Sequence, residues 1–499
     1  MKKVLKIILG MLGIFGIVIL ALLAAVNLSR DPTPVASMPS NSKSADDKFI
    51  HWIEHRVDDQ SLSDGIGLRG ADGLQIADLD RDGYQDIVSV HEDSNHIRIA
   101  FGTADPDHWI SVTLAQGDFI EGVEDPAIGD VNGDGWPDLL VACEGGTIVY
   151  FQNPGGQQAD IRKPNSWDSV IPSVAKGKGS WIRVFLADLD KDGRLEAVVT
   201  NKSIKMYGGF GSMDVPPTPM SWLAIPKNPL DEDEWKENQL GRYKVPVNAR
   251  PIDLDGDGDL DILGGSRGES RMMIFENEVQ KPLQFKEYPV NVTNRSFPKK
   301  PTLPKKLSGM VLAFADLNQD ARLDIVTFET PWSVVWLEQP ESWDQSWKIH
   351  HIASAFPDSP TALALVDING DGRLDLFSGG YSQGPRDHDL VSPGIFHRAG
   401  GLFWFEQPEK PTEPWRRHNI SRRMRAMFDD FVPLDLNGDD LVDLVGTRGN
   451  SGELDGVIWL EQKRSREPHQ VFTQAHENDS KQLPAPSGFL RTVSDWLLM

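Results

Sequence analysis

Short apolar segments recur along most of the chain, and residues that favour turns bound each of them. The segments at residues 87–90, 139–142, 325–328 and 444–446 directly follow stretches rich in Asp, Asn and Gly. Short apolar runs between turn signals are typical of buried β-strands. The pattern therefore predicts a chain built mainly of short strands that Asp-rich turns connect.

A further apolar segment follows in each unit and predicts another strand. These segments lie at residues 97–101, 148–151, 204–207, 272–275, 334–337, 402–405 and 457–460. A more polar outer strand comes next and often begins with a tryptophan, at Trp109, Trp167, Trp235, Trp347 and Trp415. Four strands in a unit of roughly 60 residues, repeated seven times, predict an all-β, seven-bladed β-propeller of four-stranded blades, in which we expect these tryptophans to pack the blades.

One loop motif recurs seven times, with oxygen-bearing side chains at its positions 1, 3, 5 and 9. We number these aspartate loops one to seven along the chain. They comprise Asp78, Asp80, Asp82 and Asp86; Asp130, Asn132, Asp134 and Asp138; Asp188, Asp190, Asp192 and Glu196; Asp253, Asp255, Asp257 and Asp261; Asp316, Asn318, Asp320 and Asp324; Asp367, Asn369, Asp371 and Asp375; and Asp435, Asn437, Asp439 and Asp443. Seven copies in one frame argue against ordinary Asp-Gly turns.

The chemistry of the aspartate loops suits calcium. Ca²⁺ takes about six to eight oxygen ligands in flexible geometry, and alternate positions of a tight loop point to one centre. We therefore predict up to about seven structural Ca²⁺ ions. Position 6 is Gly in five loops, whereas Ala321 and Asp440 occupy it in loops five and seven, which leaves their occupancy open. An EF-hand is disfavoured, because Ser89 and Val141 stand where its position 12 Glu would be.

Charge and cysteine content exclude several classes of protein. The chain carries 50 Lys and Arg against 74 Asp and Glu, and its formal net charge of −24 argues against nucleic acid as a partner. A single Cys excludes an internal disulfide and Cys-based zinc or iron–sulfur sites. The sequence also lacks the H-E-x-x-H, G-x-S-x-G and P-loop motifs, so we assign no catalytic residue.

The N-terminal segment predicts a membrane anchor. Lys2, Lys3 and Lys6 precede an uncharged apolar run at residues 7–26, which is long enough to span a bilayer as a helix. These lysines favour a cytoplasmic N-terminus, so we expect the propeller in the periplasm or outside the cell. Cleavage of this segment as a signal peptide, which would give a secreted protein, is the alternative. The predicted organisation is an anchor at 1–26, a linker at 27–48, the propeller at 49–475 and a C-terminal tail at 476–499.

The aspartate loops and their flanking strands resemble the FG-GAP/VCBS repeats of integrin α-subunit heads. The resemblance rests on the pattern Asp-x-Asp-x-Asp-Gly-x-x-Asp and covers residues 50–475. It implies a seven-bladed propeller whose loops bind calcium. It implies little about activity, because such propellers occur in adhesins, envelope proteins and some carbohydrate lyases, and a fold does not fix a function.

The face opposite the aspartate loops predicts a ring of polar side chains around the axis. Counting from each loop to the end of its second strand gives the possible ligand-binding residues His91, Glu92, Glu144, Lys202, Arg267, Glu329, Tyr381 and Arg448. Loops that enter the first strands add Glu124, Asp125, Arg183, Arg250, Asp429 and Asp430. Such a ring either solvates the mouth of the channel or forms a polar binding pocket.

Two functions from different classes fit these features. The favoured one is a monomeric, membrane-anchored, calcium-binding module of the cell envelope, which binds a glycan or an envelope or extracellular protein in adhesion or as a scaffold. The alternative is a carbohydrate-active enzyme similar to a polysaccharide lyase, with His91 or Tyr381 as the base and Arg267 or Arg448 neutralising a carboxylate. Two terminal segments, residues 52–57 and 469–474, compete to close the ring.

Overall fold

The computed structural model describes residues 32–156, 160–202, 215–278, 282–293, 307–330, 332–382 and 398–486. The anchor predicted at residues 1–26 lies outside these ranges, and so does the end of the C-terminal tail from residue 487. Within the described ranges, no helix has both the length and the apolar character that crossing a membrane requires.

Seven antiparallel sheets form the blades of a propeller, which confirms the predicted fold class. Their strands, from first to fourth, are Ala71–Ala77, Asp86–His91, His96–Phe101 and Ile110–Gln116 in blade one; Val123–Gly129, Asp138–Cys143, Thr147–Gln152 and Asp168–Val170 in blade two; Trp181–Ala187, Glu196–Asn201, Thr218–Ala224 and Lys236–Tyr243 in blade three; and Pro246–Ile252, Asp261–Ser266, Arg271–Asn277 and Phe285–Pro289 in blade four.

The remaining blades follow the same order. Their strands are Ala313–Ala315, Asp324–Thr330, Ser333–Glu338 and Trp347–Ser354 in blade five; Ala364–Val366, Asp375–Gly379, Gly400–Glu406 and Arg416–Arg423 in blade six; and Phe431–Leu434, Asp443–Arg448, Gly456–Ser465 and Phe49–Asp59 in blade seven. Val292–Thr293 adds a short parallel strand at the outer edge of blade five. Five 3₁₀ turns, at Val35–Ser37, Glu92–Ser94, Asp118–Ile120, Pro164–Ser166 and Gly452–Leu454, complete the described elements.

The N-terminal strand closes the ring. Phe49–Asp59 pairs antiparallel with Gly456–Ser465 and is the fourth strand of blade seven, which settles the competition in favour of residues 52–57. The rival segment also takes part, because Phe472–Thr473 adds a parallel strand outside it. Both ends of the propeller therefore meet in one sheet, and pairing covers edges that would otherwise be exposed.

The segment predicted as a linker is packed against the propeller from residue 34 onward. Val35 and Ala36 are buried in the same core as Ile420 and Phe472. Pro34 forms a bridge with Pro484, and Pro39 forms one with Gln470. The Ser- and Pro-rich composition suggested a free linker, but short extended segments of this composition also suit edge contacts.

The first strand of each blade lies toward the axis. The first strands of neighbouring blades contact one another. These contacts join blades one and two, two and three, three and four, five and six, six and seven, and seven and one. Apolar side chains of neighbouring blades form the core between the sheets. Four of the five outer-strand tryptophans, Trp167, Trp235, Trp347 and Trp415, are buried there as expected, whereas Trp109 remains partly exposed.

Candidate functional site

The side chains of all seven aspartate loops turn inward and accept hydrogen bonds from their own backbone. The N–H of position 6 donates to the position 1 carboxylate at 2.8–3.1 Å, as from Gly83 to Asp78. The N–H of position 7 donates to the position 5 carboxylate at 2.9–3.0 Å, as from Tyr84 to Asp82. These bonds preorganise the oxygens of positions 1, 3 and 5 in a common arrangement.

The position 9 acid is buried in every loop, and in all loops except loop three it accepts a hydrogen bond from the backbone at the end of the third strand. Asp86 accepts hydrogen bonds from the N–H groups of Leu79 at 2.7 Å and Gly102 at 2.9 Å. Burial raises the pKa of this carboxyl, to about 7 at Asp86 and to about 8 at Asp375, although the backbone donors oppose the shift. A buried carboxylate in this position requires a proton or a cation nearby.

Three loops bring three carboxylates together. In each of these groups, one carboxylate oxygen from each residue lies within 4.8 Å of the other two. The groups are Asp78, Asp80 and Asp86; Asp188, Asp190 and Asp192; and Asp253, Asp255 and Asp257. The other four loops have Asn at position 3, which supplies a neutral oxygen. Basic side chains approach some loops: Arg162 binds Asp80 at 2.7 Å, and Arg373 donates to Asp371. The all-oxygen donor set fits a hard cation such as Ca²⁺.

Amide side chains connect the aspartate loops of neighbouring blades. Asn277 of blade four donates to the carbonyl of Leu189 in loop three at 2.8 Å, and Gln339 of blade five donates to Leu254 in loop four at 2.9 Å. Equivalent bonds join blades one and two, five and six, and six and seven. The amide residue that follows the third strand at Gln339 and Gln407 thus links one blade to the loop of the preceding blade.

Charged residues from several blades meet at the end of the channel, and we call this group the axial mouth. It comprises Asp72, Glu92, Glu124, Asp125, Arg183, Arg250, Asp429 and Asp430. The oxygens of Asp72, Glu92 and Glu124 lie within 4.8 Å of one another. Arg183 lies 3.6 Å from Asp125. Six acids thus face two arginines in this group.

Burial and mutual repulsion raise the pKa values of Asp72, Glu124 and Asp429 in the axial mouth. Burial, followed by the charge of Glu124, raises the pKa of Asp72 well above its usual range. Burial also raises the pKa of Glu124 and Asp125 to about 7 and that of Asp429 to about 6. Excess carboxylates with raised pKa values are a common property of binding sites, although structural networks share it.

β-Bulges in the first strands position these residues. Pairing shifts by one residue between Ala71 and Leu74, between Val123 and Asp125, and between Trp181 and Arg183. A bulge bends its strand and redirects the neighbouring side chains. Asp72 was missed from the sequence, yet its place at the start of a first strand matches that of Glu124 in the next blade.

The structure separates the ring residues predicted from the sequence. Glu92 is part of the axial mouth and Tyr381 lies beside it. Lys202 forms a buried ion pair with Glu144 that joins blades two and three. His91 is buried, and burial lowers its pKa to about 3. Arg448 is enclosed in ion pairs with Glu54 and Asp479. Glu329 is buried, and Arg267 is partly exposed with a pKa that burial lowers.

Comparison with known proteins agrees with the repeat geometry. A family model described as the FG-GAP-like repeat matches residues 78–141, 130–199, 253–327 and 316–378. The chain carries FG-GAP-like repeats. Each match begins at the first Asp of an aspartate loop, and loop seven shows the same hydrogen bonds although it lies beyond the matched residues.

Other comparisons add little. No curated protein matches the sequence. Among solved structures, Ycf48 from Cyanidioschyzon merolae is similar over 82% of this chain and 98% of its own, with 7% sequence identity and a TM-score of 0.43.

Position 6 of the FG-GAP repeats provides a test of loop strain. Ala321 adopts a φ of 69°, and Gly372 at the same position of loop six adopts 83°. We expect Ala321→Gly to raise the free energy of unfolding by about 1 kcal/mol, because Gly reaches positive φ without steric cost.

Gly372→Ala is the matched control and should lower the free energy of unfolding by about 1–2 kcal/mol. A Cβ at Gly372 would contact nothing within 4 Å, so only the backbone conformation is penalised. Urea unfolding of both variants in chelator checks this. If Ala321→Gly and Gly372→Ala change the free energy of unfolding equally and in the same direction, the positive φ of position 6 does not limit stability.

Proposed function

We propose that this protein is a calcium-stabilised binding module of the cell envelope. The N-terminal apolar segment would anchor it, and the propeller would lie outside the cytoplasm. The observation that carries the calcium assignment is the common inward arrangement of oxygens in seven aspartate loops. Positions 1, 3, 5 and 9 of each loop would hold the ion.

The metal would supply positive charge to loops that otherwise place up to four carboxylates side by side. Without it, Asp253, Asp255, Asp257 and Asp261 repel one another at short range, and burial and this repulsion raise the pKa of Asp255. The position 9 acid would then link the occupied loop to the third strand through its backbone donors. Calcium binding would therefore be coupled to the folding of each blade.

A metal count tests this assignment directly. The purified full chain should bind five to seven Ca²⁺ per molecule when it is dialysed to equilibrium against a buffer with excess calcium. The excess is needed because extracellular modules have dissociation constants of about 10⁻⁴–10⁻³ M. Asp188→Asn together with Asp190→Asn should lower the count by one and leave the other loops occupied. A count of zero in the parent chain would contradict the calcium assignment.

The axial mouth is the proposed binding face. Six acids outnumber the two arginines and the neighbouring Lys202, so the mouth is negative in the ionised state and a partner that presents Lys or Arg side chains fits its charge. We therefore favour a basic segment of an envelope or extracellular protein over a polyanionic glycan. The predominance of rigid strands around the mouth supports binding without a large change of shape.

An oligolysine peptide serves as the probe for this face. Binding should be about ten-fold tighter at pH 8 than at pH 5.5, because carboxyls with pKa values of about 6 to 7 lose their protons over that range. Fluorescence anisotropy of a labelled peptide, measured in calcium at constant ionic strength, checks this.

Asp72→Asn combined with Glu124→Gln should weaken binding of the probe and flatten its pH dependence. The exposed acids Glu232 and Glu234 lie elsewhere in blade three, and Glu232→Gln combined with Glu234→Gln is the matched control for loss of two negative charges. If both variants weaken binding equally, the peptide binds through net charge alone and the axial mouth is not the site.

The alternative of a lyase-like enzyme gains less from the geometry. The proposed base His91 is buried, and its pKa is lowered to about 3 by burial. Burial, together with the charges of Asp429 and Asp72, raises the pKa of the other base, Tyr381. Of the two proposed arginines, Arg448 is held in buried ion pairs. We therefore favour binding without turnover.

A further inference from the structure

A cavity of about 380 Å³ opens at the rim where blades seven and one meet. Its walls include His55 and Arg56 of the closing strand, Leu62 of the following turn, and Asp107, His108 and Trp109 of blade one. The volume is in the range of small-ligand sites, which is about 300–1,000 Å³. The cavity shares no residue with the axial mouth, so its function is independent of the one proposed above.

Trp109 distinguishes this cavity from the corresponding positions of other blades. Its counterparts Trp167, Trp235, Trp347 and Trp415 are 6%, 1%, 0% and 4% exposed. Trp109 is only partly buried, and it lines the cavity while its indole N–H donates to the carbonyl of Pro106 at 2.9 Å. The same repeat position is therefore fully packed in four blades, whereas in blade one Trp109 packs against the core and also faces a cavity.

Asp107 is a second feature specific to this junction. His55 stacks on Trp459 with ring centroids 4.2 Å apart and contacts Glu461 at 3.1 Å. His350 and His418 repeat this stack and the contact with Glu in blades five and six. At His55 the other ring nitrogen also contacts a carboxylate, that of Asp107 at 2.7 Å. The Asp107 side chain is 57% exposed, so it can accept further hydrogen bonds in the cavity.

The charged side chains around the cavity already have hydrogen-bonding partners. Asp107 is paired with His55, and Arg56 is paired with Asp59 at 3.0 Å. An aromatic surface surrounded by paired hydrogen-bonding groups suits a ligand that has hydroxyl groups and an apolar face. Leu62, which is 45% exposed, extends the apolar surface. The net charge of −24 also disfavours polyanions.

We propose that this rim cavity is a binding site for a neutral saccharide. One face of a sugar ring packs on Trp109, and its hydroxyls bond to Asp107, His108 and Arg56. The Asp107 carboxylate and the negative net charge of the chain disfavour uronic acids relative to neutral rings. The cavity holds one or two rings, so the site recognises the end or a short stretch of a glycan.

Isothermal titration of the full chain in calcium tests the proposal. The probes are neutral oligomers of glucose, mannose, xylose, galactose and N-acetylglucosamine, with oligogalacturonate as the acidic comparison. We expect saturable binding of at least one neutral oligomer and weaker binding of the acidic one. Binding of none of the neutral oligomers, or preferential binding of oligogalacturonate, would overturn the proposal.

Variants locate the site. Trp109→Phe and Asp107→Ala should each weaken the saccharide at least ten-fold, whereas Trp415→Phe at the buried counterpart should leave its affinity unchanged. His108→Ala alters an exposed side chain and provides a variant that does not disturb the core. Unaltered affinity in both Asp107→Ala and His108→Ala would place the sugar elsewhere and overturn the assignment. Asp72→Asn should not affect saccharide binding, which separates this test from that of the axial mouth.

Discussion

Removal of calcium is expected to lower the melting temperature of the protein sharply. Each site that binds only the folded state adds about 2.7 kcal/mol of stability when calcium is present at a hundred times its dissociation constant. Five to seven occupied loops would together contribute about as much as the whole stability of an ordinary domain, which is about 5–15 kcal/mol. Calorimetry of the full chain in 10 mM calcium and in excess chelator, about a hundred-fold above a dissociation constant of 10⁻⁴ M, measures the difference.

The stabilisation that calcium provides should increase with pH, because stability in chelator and in calcium depend differently on pH. The position 9 acids have raised pKa values in the folded protein, about 7 at Asp86 and about 8 at Asp375, so without metal the folded state binds more protons than the unfolded state. In chelator, stability should therefore fall as the pH rises from about 4 to about 8. In calcium the carboxylates must be ionised, so the stabilisation by metal should increase over the same range.

Magnesium is the control ion for this experiment. Mg²⁺ keeps its waters and demands stricter octahedral geometry, so it should restore less of the melting temperature than Ca²⁺ at equal concentration. Identical melting temperatures in calcium and chelator would contradict a structural role for the metal. The aspartate loops would then act only through their own hydrogen bonds.

Substitution of Arg423 by Met is expected to cost about 3–5 kcal/mol of unfolding free energy. Arg423 is fully buried between Glu54 of the closing strand, at 2.6 Å, and Asp479 of the C-terminal tail, at 3.1 Å. Arg448 contacts the same two carboxylates. Loss of one arginine leaves two buried carboxylates against a single cation, and the penalty comes from that unpaired charge. Urea unfolding in saturating calcium measures it.

Two further variants show whether the effect arises from this network. Arg423→Met combined with Asp479→Asn should be less destabilising than the sum of the single variants, because the second change removes the carboxylate that the first left unpaired. Asp47→Asn breaks the exposed pair with Lys43 and should change stability little. Additive effects of Arg423→Met and Asp479→Asn would mean that the tail does not couple to blade six through these charges.

The local parts of the structure could be predicted from the sequence. The seven aspartate loops and the strands beside them depend on residues within about ten positions of one another, so spacing alone placed them. The closing strand was also recognisable, because residues 52–57 have the pattern of an outer strand without a blade to precede it. The sequence could not decide whether this segment or residues 469–474 closes the ring. In the structure both segments pair in blade seven, with residues 52–57 in its fourth strand.

The candidate binding residues depend on long-range contacts, and there the sequence was a poorer guide. Arg448 was predicted at the axis, but Asp479 of the tail and Glu54 of the N-terminal strand enclose it. His91 was predicted there as well, but it is buried within blade one beside Ser89. Asp72 was missed, because a bulge in a first strand cannot be recognised from alternation alone. Burial and bulges are set by neighbours far along the chain.

Blade seven combines strands from both ends of the propeller, so it can form only late in synthesis. His55 and its partner Glu461 are 406 positions apart, so the first strand to leave the ribosome has no partner until nearly the whole chain has been made. At about 5–20 residues per second, that delay is roughly 20–80 seconds. Through that interval the incomplete ring keeps two unpaired strand edges, which are the surfaces most prone to intermolecular pairing. Those edges stay exposed until strand Gly456–Ser465 has been made and blade seven can form.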